Sequence, residues 1–205
     1  AVFHTVGIWR WNSDMETGNY VPHGESAPAK LAESRIQSEP GSLCQFSYAI
    51  GTNHDKTLWE AQTVFEKLAT STKGFNRSKK TRRSWQNGSN TNSPYVLSSQ
   101  MFLKRTQFTS RKEASVSYPL HPWIANAAKN TSYFPNPDRP AVFEPLGSRL
   151  CDIKDCNPPY LRTGDLVWIS FFVEFIIGMN NWSTTFTLYE FVRVGTVSPD
   201  LVGDA

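Results

Sequence analysis

A β-rich α+β fold follows from three observations on this 205-residue sequence. Residues 165–177 and 184–194 are two long strand-like stretches joined by a short turn. Residues 3–11 and 43–50 alternate in the same manner. Strong helical periodicity is confined to residues 58–71. The expected architecture is one domain over residues 1–197, with about six to eight mainly antiparallel strands. It is either an elaborated OB-like barrel of five strands or a two-sheet β-sandwich or jelly roll. Residues 198–205 read as a tail. Hydrophobic content is 39% and aromatic content 13%, enough to build a core and to exclude global disorder.

In residues 3–11, Phe3, Thr5, Gly7 and Trp9 share one strand face, and Val6, Ile8 and Arg10 share the other. Residues 21–40 are polar and proline-containing and read as loop. In residues 43–50, Phe46, Tyr48 and Ile50 alternate with Gln45, Ser47 and Ala49. For the helix, Thr57 and Glu60 form a capping box, each side chain satisfying a free backbone donor at the start. Leu58, Ala61, Phe65, Leu68 and Ala69 recur at helical spacing and should face the core. Gly74 follows as a C-terminal cap.

Residues 74–93 are rich in Asn, Ser, Gly and Lys and read as an exposed, mobile loop inserted near 73–93. Residues 95–109 and 114–119 look like strands, with Leu97, Phe102, Leu103 and Phe108 reaching the core. Residues 119–160 form a proline-rich connection with a short helix near 123–129. Their prolines exclude central strands. Residues 165–177 are apolar on both faces, which predicts a central strand covered on both sides. Along 184–194, Phe186, Leu188, Val192 and Val194 share a face interrupted by Glu190.

Charge is strongly segregated. Ten of the 21 lysines and arginines fall in residues 73–112, a window with no Asp or Glu. The net charge of +3 is therefore +10 from the window and −7 from the remainder, which holds 11 basic and 18 acidic residues. Solubility alone favours interspersed signs, whereas a concentrated positive field suits a polyanion. Lys79, Lys80, Arg82 and Arg83 form one cluster; Lys104, Arg105, Arg111 and Lys112 form a second. Each phosphate contact would release a counterion. Trp85 lies in a polar setting between the clusters and is the first candidate for base stacking, followed by Phe75. Phe102 and Phe108 are assigned to the core. Trp9 and Trp11 flank Arg10 as a second possible aromatic pair.

No catalytic signature is present: there is no Gly-X-Ser-X-Gly elbow, phosphate-binding loop or dinucleotide fingerprint. Glu174 and Glu190 are more simply read as carboxylates satisfied across a ladder, Glu174 by an arginine. The four histidines are dispersed and Cys151 and Cys156 lack ligand spacing, so neither a metal nor a cofactor is expected. Three cysteines fit a reducing compartment. No run approaches the ~18 apolar residues of a membrane span. The run 79–83 also matches a nuclear-localisation pattern. The sequence thus points to an intracellular, nuclear protein that binds single-stranded DNA or RNA with weak sequence specificity. Two other readings are a coat-like assembly protein that forms homo-oligomers, and a carbohydrate or small-ligand module using Trp123 and residues 180–182.

Overall fold

The computed structural model describes residues 1–26, 40–41, 43–83, 93–110, 114–129 and 132–202. Among them, the elements in chain order are β1 (Val2–Asn12), β2 (Gln45–Gly51), α1 (Thr57–Ser71), β3 (Thr81–Arg82), β4 (Tyr95–Gln100) and β5 (Phe102–Lys104). There follow α2 (Pro122–Ala127), β6 (Tyr133–Pro135), β7 (Ala141–Leu146), β8 (Arg149–Asp152), β9 (Asp165–Ile177), β10 (Asn181–Thr196) and α3 (Pro199–Val202). The β-rich class with a helix at 58–71 is the one observed. Ten strands replace the expected six to eight because β3, β5 and β6 have only two or three residues each, too short to leave an alternation pattern. The chain divides into two compact units, residues 1–11, 49–97 and 141–205, and residues 12–48 and 98–140.

The main sheet runs β4–β2–β1–β9–β10–β7–β8, and β4 also pairs with β10. That extra pairing closes the first five strands into a ring, the topology of a barrel. β9 is antiparallel to both β1 and β10, while β7 and β3 run parallel to β10. In the first unit, Val167, Ile169 and Phe171 of β9 are buried with Phe186, Leu188 and Phe191 of β10. Trp9 stacks on Phe191 at 5.0 Å and Phe171 on Phe186 at 4.7 Å. Each such ring contributes about 1.5–3 kcal/mol through burial alone.

Four expectations for this unit are corrected. β9 is central but is not covered on both sides: Leu166, Trp168 and Phe172 are half-buried, and Glu174 and Ile176 are exposed, because this face is the outside of the ring. In β10, register shifts between Leu188 and Glu190 and between Arg193 and Gly195 extrude one residue each. A bulge reverses side-chain parity, so Phe191 and Arg193 turn inward and Val194 is exposed. The prolines do not keep 119–160 out of the sheet interior, since β7 pairs with β10 on one side and β8 on the other. Pro145 lies beyond the Ala141–Phe143 stretch that meets β10, so no ladder bond to β10 is lost. The tail contains a short helix, α3, whose Val202 carbonyl accepts a hydrogen bond from Arg10.

α1 forms without the capping box. Thr57 is its first residue, Lys56 holds the cap position, and the Asp55 carboxylate accepts from the Thr57 N–H at 2.8 Å. Its buried face is Leu58, Trp59 and Gln62, and Leu68 is exposed. Gln62 is inside because it accepts from the Tyr95 hydroxyl at 2.8 Å, beside Trp59 at 4.7 Å from the same ring. Phe65 joins Phe3 and Phe186. Thr72, rather than Gly74, caps the C-terminus.

The second unit contains the β5–β6 ladder, which pairs Phe102 with Pro135 and Lys104 with Tyr133. Gly18 is fixed by conformation and space: its φ is +54°, and a Cβ there would stand 2.4 Å from Met101 Sδ. Asn19 bridges the Leu43 carbonyl and the Gln45 N–H at 3.2 and 2.8 Å. α2 starts at Pro122, with His121 Nδ1 accepting from the Trp123 N–H. Residues 114–119 are irregular rather than a strand. Phe108 is 81% exposed rather than in the core.

Candidate nucleic-acid interface

The first basic cluster lies in the turn-rich segment after α1 and in β3, and it is pinned rather than free. The Asn76 side chain accepts from the Lys80 N–H and donates to the Lys80 carbonyl, both at 2.8 Å. Asn76 and Lys79 have φ of 48° and 52°, which folds the segment back on itself. β3 then pairs Thr81 with Asn181 and Arg82 with Trp182. Phe75 closes edge-on against Phe175 and Trp182 at 5.5 and 5.2 Å. It is half-buried there as an anchor, which reduces its availability for stacking.

The cations of this segment fall into two groups. Lys80 Nζ donates to the Gly178 carbonyl at 2.6 Å, which seats it on the β9–β10 turn. Arg82 makes a two-pronged contact with Glu66 of α1, at 2.6 and 2.8 Å. Burial opposes the Glu66 charge, yet hydrogen bonds from Arg82 and Gln62 and the Arg82 charge hold its pKa below the ordinary carboxylate range. Arg82 is thus already neutralised by a carboxylate from outside the acid-free window. Lys73, Arg77, Lys79 and Arg83 are exposed and have no ion-pair partner among the described residues. These four constitute the available positive charge of the segment.

The second cluster belongs to the other unit. Lys104 ends β5 and is exposed. Arg105 continues the ladder through its N–H to the Ser132 carbonyl, and its guanidinium lies 5.3 Å from the Phe134 ring centre. Exposed Phe108 lies three residues further on. Trp85, Arg111 and Lys112 lie outside the described residues.

Sequence reasoning missed the outer face of the ring. There His4 of β1 stacks on Trp168 of β9 at 4.8 Å and 13°. Phe172 of β9 meets Tyr189 edge-on at 5.6 Å. His4 and Tyr189 are exposed; Trp168 and Phe172 are half-buried. Val2 and Val6 flank His4 along β1, opposite Phe172 and Trp168 in the ladder. Along β9 this face continues through Ile176 to the turn, where Met179 is 89% exposed and where Lys80 is seated. The nine residue-to-residue steps from Trp168 to Ile177 span about 30 Å at ~3.3 Å each. Tyr189 is on this face because it is the extruded residue of the β10 bulge. The even-numbered residues of β9 were legible as a face, but not as an open one.

Among the described residues Glu174 has no arginine partner: it accepts from the Thr187 hydroxyl, while Glu190 accepts from Ser170. Trp9 is buried and Trp11 is 41% exposed, so they do not form an exposed pair. Cys151 and Cys156 are free thiols. Among the described residues no helix is long and apolar enough to cross a membrane.

No protein-family model matches the chain, and no curated protein sequence is detectably similar to it. Among solved structures it is similar to gp2.5, a single-stranded DNA-binding protein encoded by bacteriophage T7. That likeness has a TM-score of 0.46 and 8% identity, and covers 100% of this chain and 98% of the other. It is also similar to a C-terminally truncated single-stranded DNA-binding protein from bacteriophage Enc34. There the TM-score is 0.37 and the identity 10%, over 96% of this chain and 88% of that one. Neither score is high enough to bear on what this chain binds.

Proposed function

We propose that this protein binds single-stranded nucleic acid with little sequence specificity, using the outer face of its five-stranded ring. The observation that carries this reading is an open, aromatic strand face that ends at a pinned segment with four cations unpaired among the described residues. Base stacking on an aromatic face tolerates any base, because every base has a π-face. Stacking requires bases that are not already paired, so an exposed aromatic face favours a single strand over a duplex. Lys73, Arg77, Lys79 and Arg83 then neutralise phosphates at the turn end of the face. Lys80 is a weaker contributor, being seated on a carbonyl, and Arg82 supports the segment by anchoring it to α1. Lys104, Arg105, Arg111 and Lys112, with Phe108 and Trp85, supply further phosphate and stacking contacts.

Fluorescence anisotropy with a labelled single strand and the matching duplex tests the reading. The single strand is expected to bind at least about tenfold more tightly, the equivalent of one stacked base. Equal affinity for both, or binding to neither at low salt, would rule it out.

A further inference from the structure

A cleft of about 270 Å³ opens beside β1 in the first unit. Its apolar wall includes Val6, Ile8 and Leu166, and its polar wall is the segment before α1, with Asn53, His54 and Asp55. Val6 is the ladder partner of Trp168, so the cleft adjoins the aromatic face directly. At this size it falls just short of the ~300–1,000 Å³ typical of drug-sized ligand sites, which suits a single ring system. One apolar wall and one wall of hydrogen-bonding groups match a planar heterocycle that is apolar on its faces and polar at its edge.

We infer that this cleft receives one unstacked nucleobase of the bound strand and gives the protein a base preference, an inference that rests on the proposed function. The preferred base follows from the chemistry of the polar wall. Asp55, when ionised, only accepts hydrogen bonds. One of its oxygens already accepts from the Thr57 N–H at 2.8 Å, which fixes the carboxylate in place. Guanine offers two adjacent donors, N1–H and the 2-amino group, to a carboxylate. Thymine offers a single N–H between two carbonyl oxygens, which a carboxylate repels. Guanine is therefore favoured over thymine at this one position, and the remainder of the strand is bound without regard to sequence.

The test is a competition measured by anisotropy on the full chain, between oligo-dT and the same oligomer with one central dT replaced by dG. The parent protein is expected to bind the dG oligomer about tenfold more tightly, as a charge-assisted hydrogen-bond pair allows. In Asp55→Asn, which keeps an acceptor for the Thr57 N–H but removes the charge, the preference should fall to within about twofold, through weaker binding of the dG oligomer and with oligo-dT binding no weaker than in the parent. Binding of both oligomers by the parent without preference would overturn the inference and leave the proposed function standing. So would a preference that survives in Asp55→Asn. Failure to bind any oligomer would overturn both.

Discussion

Arg193 carries a cation into the interior of the first unit and is almost completely buried. Its guanidinium donates to the carbonyls of Tyr160 and Pro158 at 2.9 and 3.0 Å and to the Glu144 carboxylate, and lies 3.7 Å from Asp165. The Arg193 hydrogen bond holds Glu144 below the usual carboxylate range. Asp165 is itself fully buried. Arg193→Met would leave that carboxylate without a counter-charge among the described residues, and removing one partner of a buried pair costs about 3–5 kcal/mol. Urea denaturation should show a loss of that order, and an unchanged midpoint would mean that Arg193 is not the counter-charge. Glu66 and Arg82 make the corresponding surface pair. The folded-state pKa of Glu66 is depressed, so its contribution is complete above the unfolded carboxylate range and is lost as acid titrates it in the folded state. Glu66→Gln should therefore cost about 1 kcal/mol at neutral pH, discounted for the partial exposure of Arg82. That difference should shrink as the pH falls through the depressed folded-state pKa of Glu66 and be gone once the carboxyl is protonated; a difference independent of pH would contradict the assignment. Neither pair was legible in the sequence. The β10 bulge turns Arg193 inward, so it meets Glu144 and not the cross-strand carboxylate Glu174. The window without acids appeared uncompensated because Glu66 precedes it on α1 and meets it only after folding.

At the scale of elements, the sequence was most informative where periodicity was uninterrupted. β9 occupies residues 165–177 as expected, because a thirteen-residue apolar alternation has no other comfortable conformation. α1 was placed within one residue, although its buried face was rotated toward Trp59 and Gln62. That rotation depends on a hydrogen bond from Tyr95, thirty-three positions away. β10 was recognised but misread past Leu188, since a bulge leaves no mark on alternation until its pairing partner is known. The same bulge exposes Tyr189 beside Phe172 and completes the aromatic face. Replacing both by alanine should weaken single-strand binding by about tenfold or more, given ~1–3 kcal/mol per stacked base. The dependence of affinity on salt should stay as in the parent, because no phosphate contact is removed. A double variant that binds like the parent would show that the strand passes elsewhere.

For the molecule as a whole, the segregation of charge was the property most readily seen in the sequence, and its spatial meaning was the least. The two clusters fall in different compact units. Within the first cluster, folding separates cations that serve the structure, Lys80 and Arg82, from those left to solvent, Lys73, Arg77, Lys79 and Arg83. Linear proximity assigned them one role because counting charges cannot show which carbonyl or carboxylate each one meets. If the exposed four neutralise phosphates, their loss must appear in the salt dependence and not only in the affinity. The direct measurement is the slope of log affinity against log salt for a labelled single strand, in the parent and in the variant with Lys73, Arg77, Lys79 and Arg83 all replaced by alanine. At ~0.7 counterions released per neutralised phosphate, the slope should become shallower by about 3. Weaker binding with an unchanged slope, or no change in either, would show that these cations do not contact the strand.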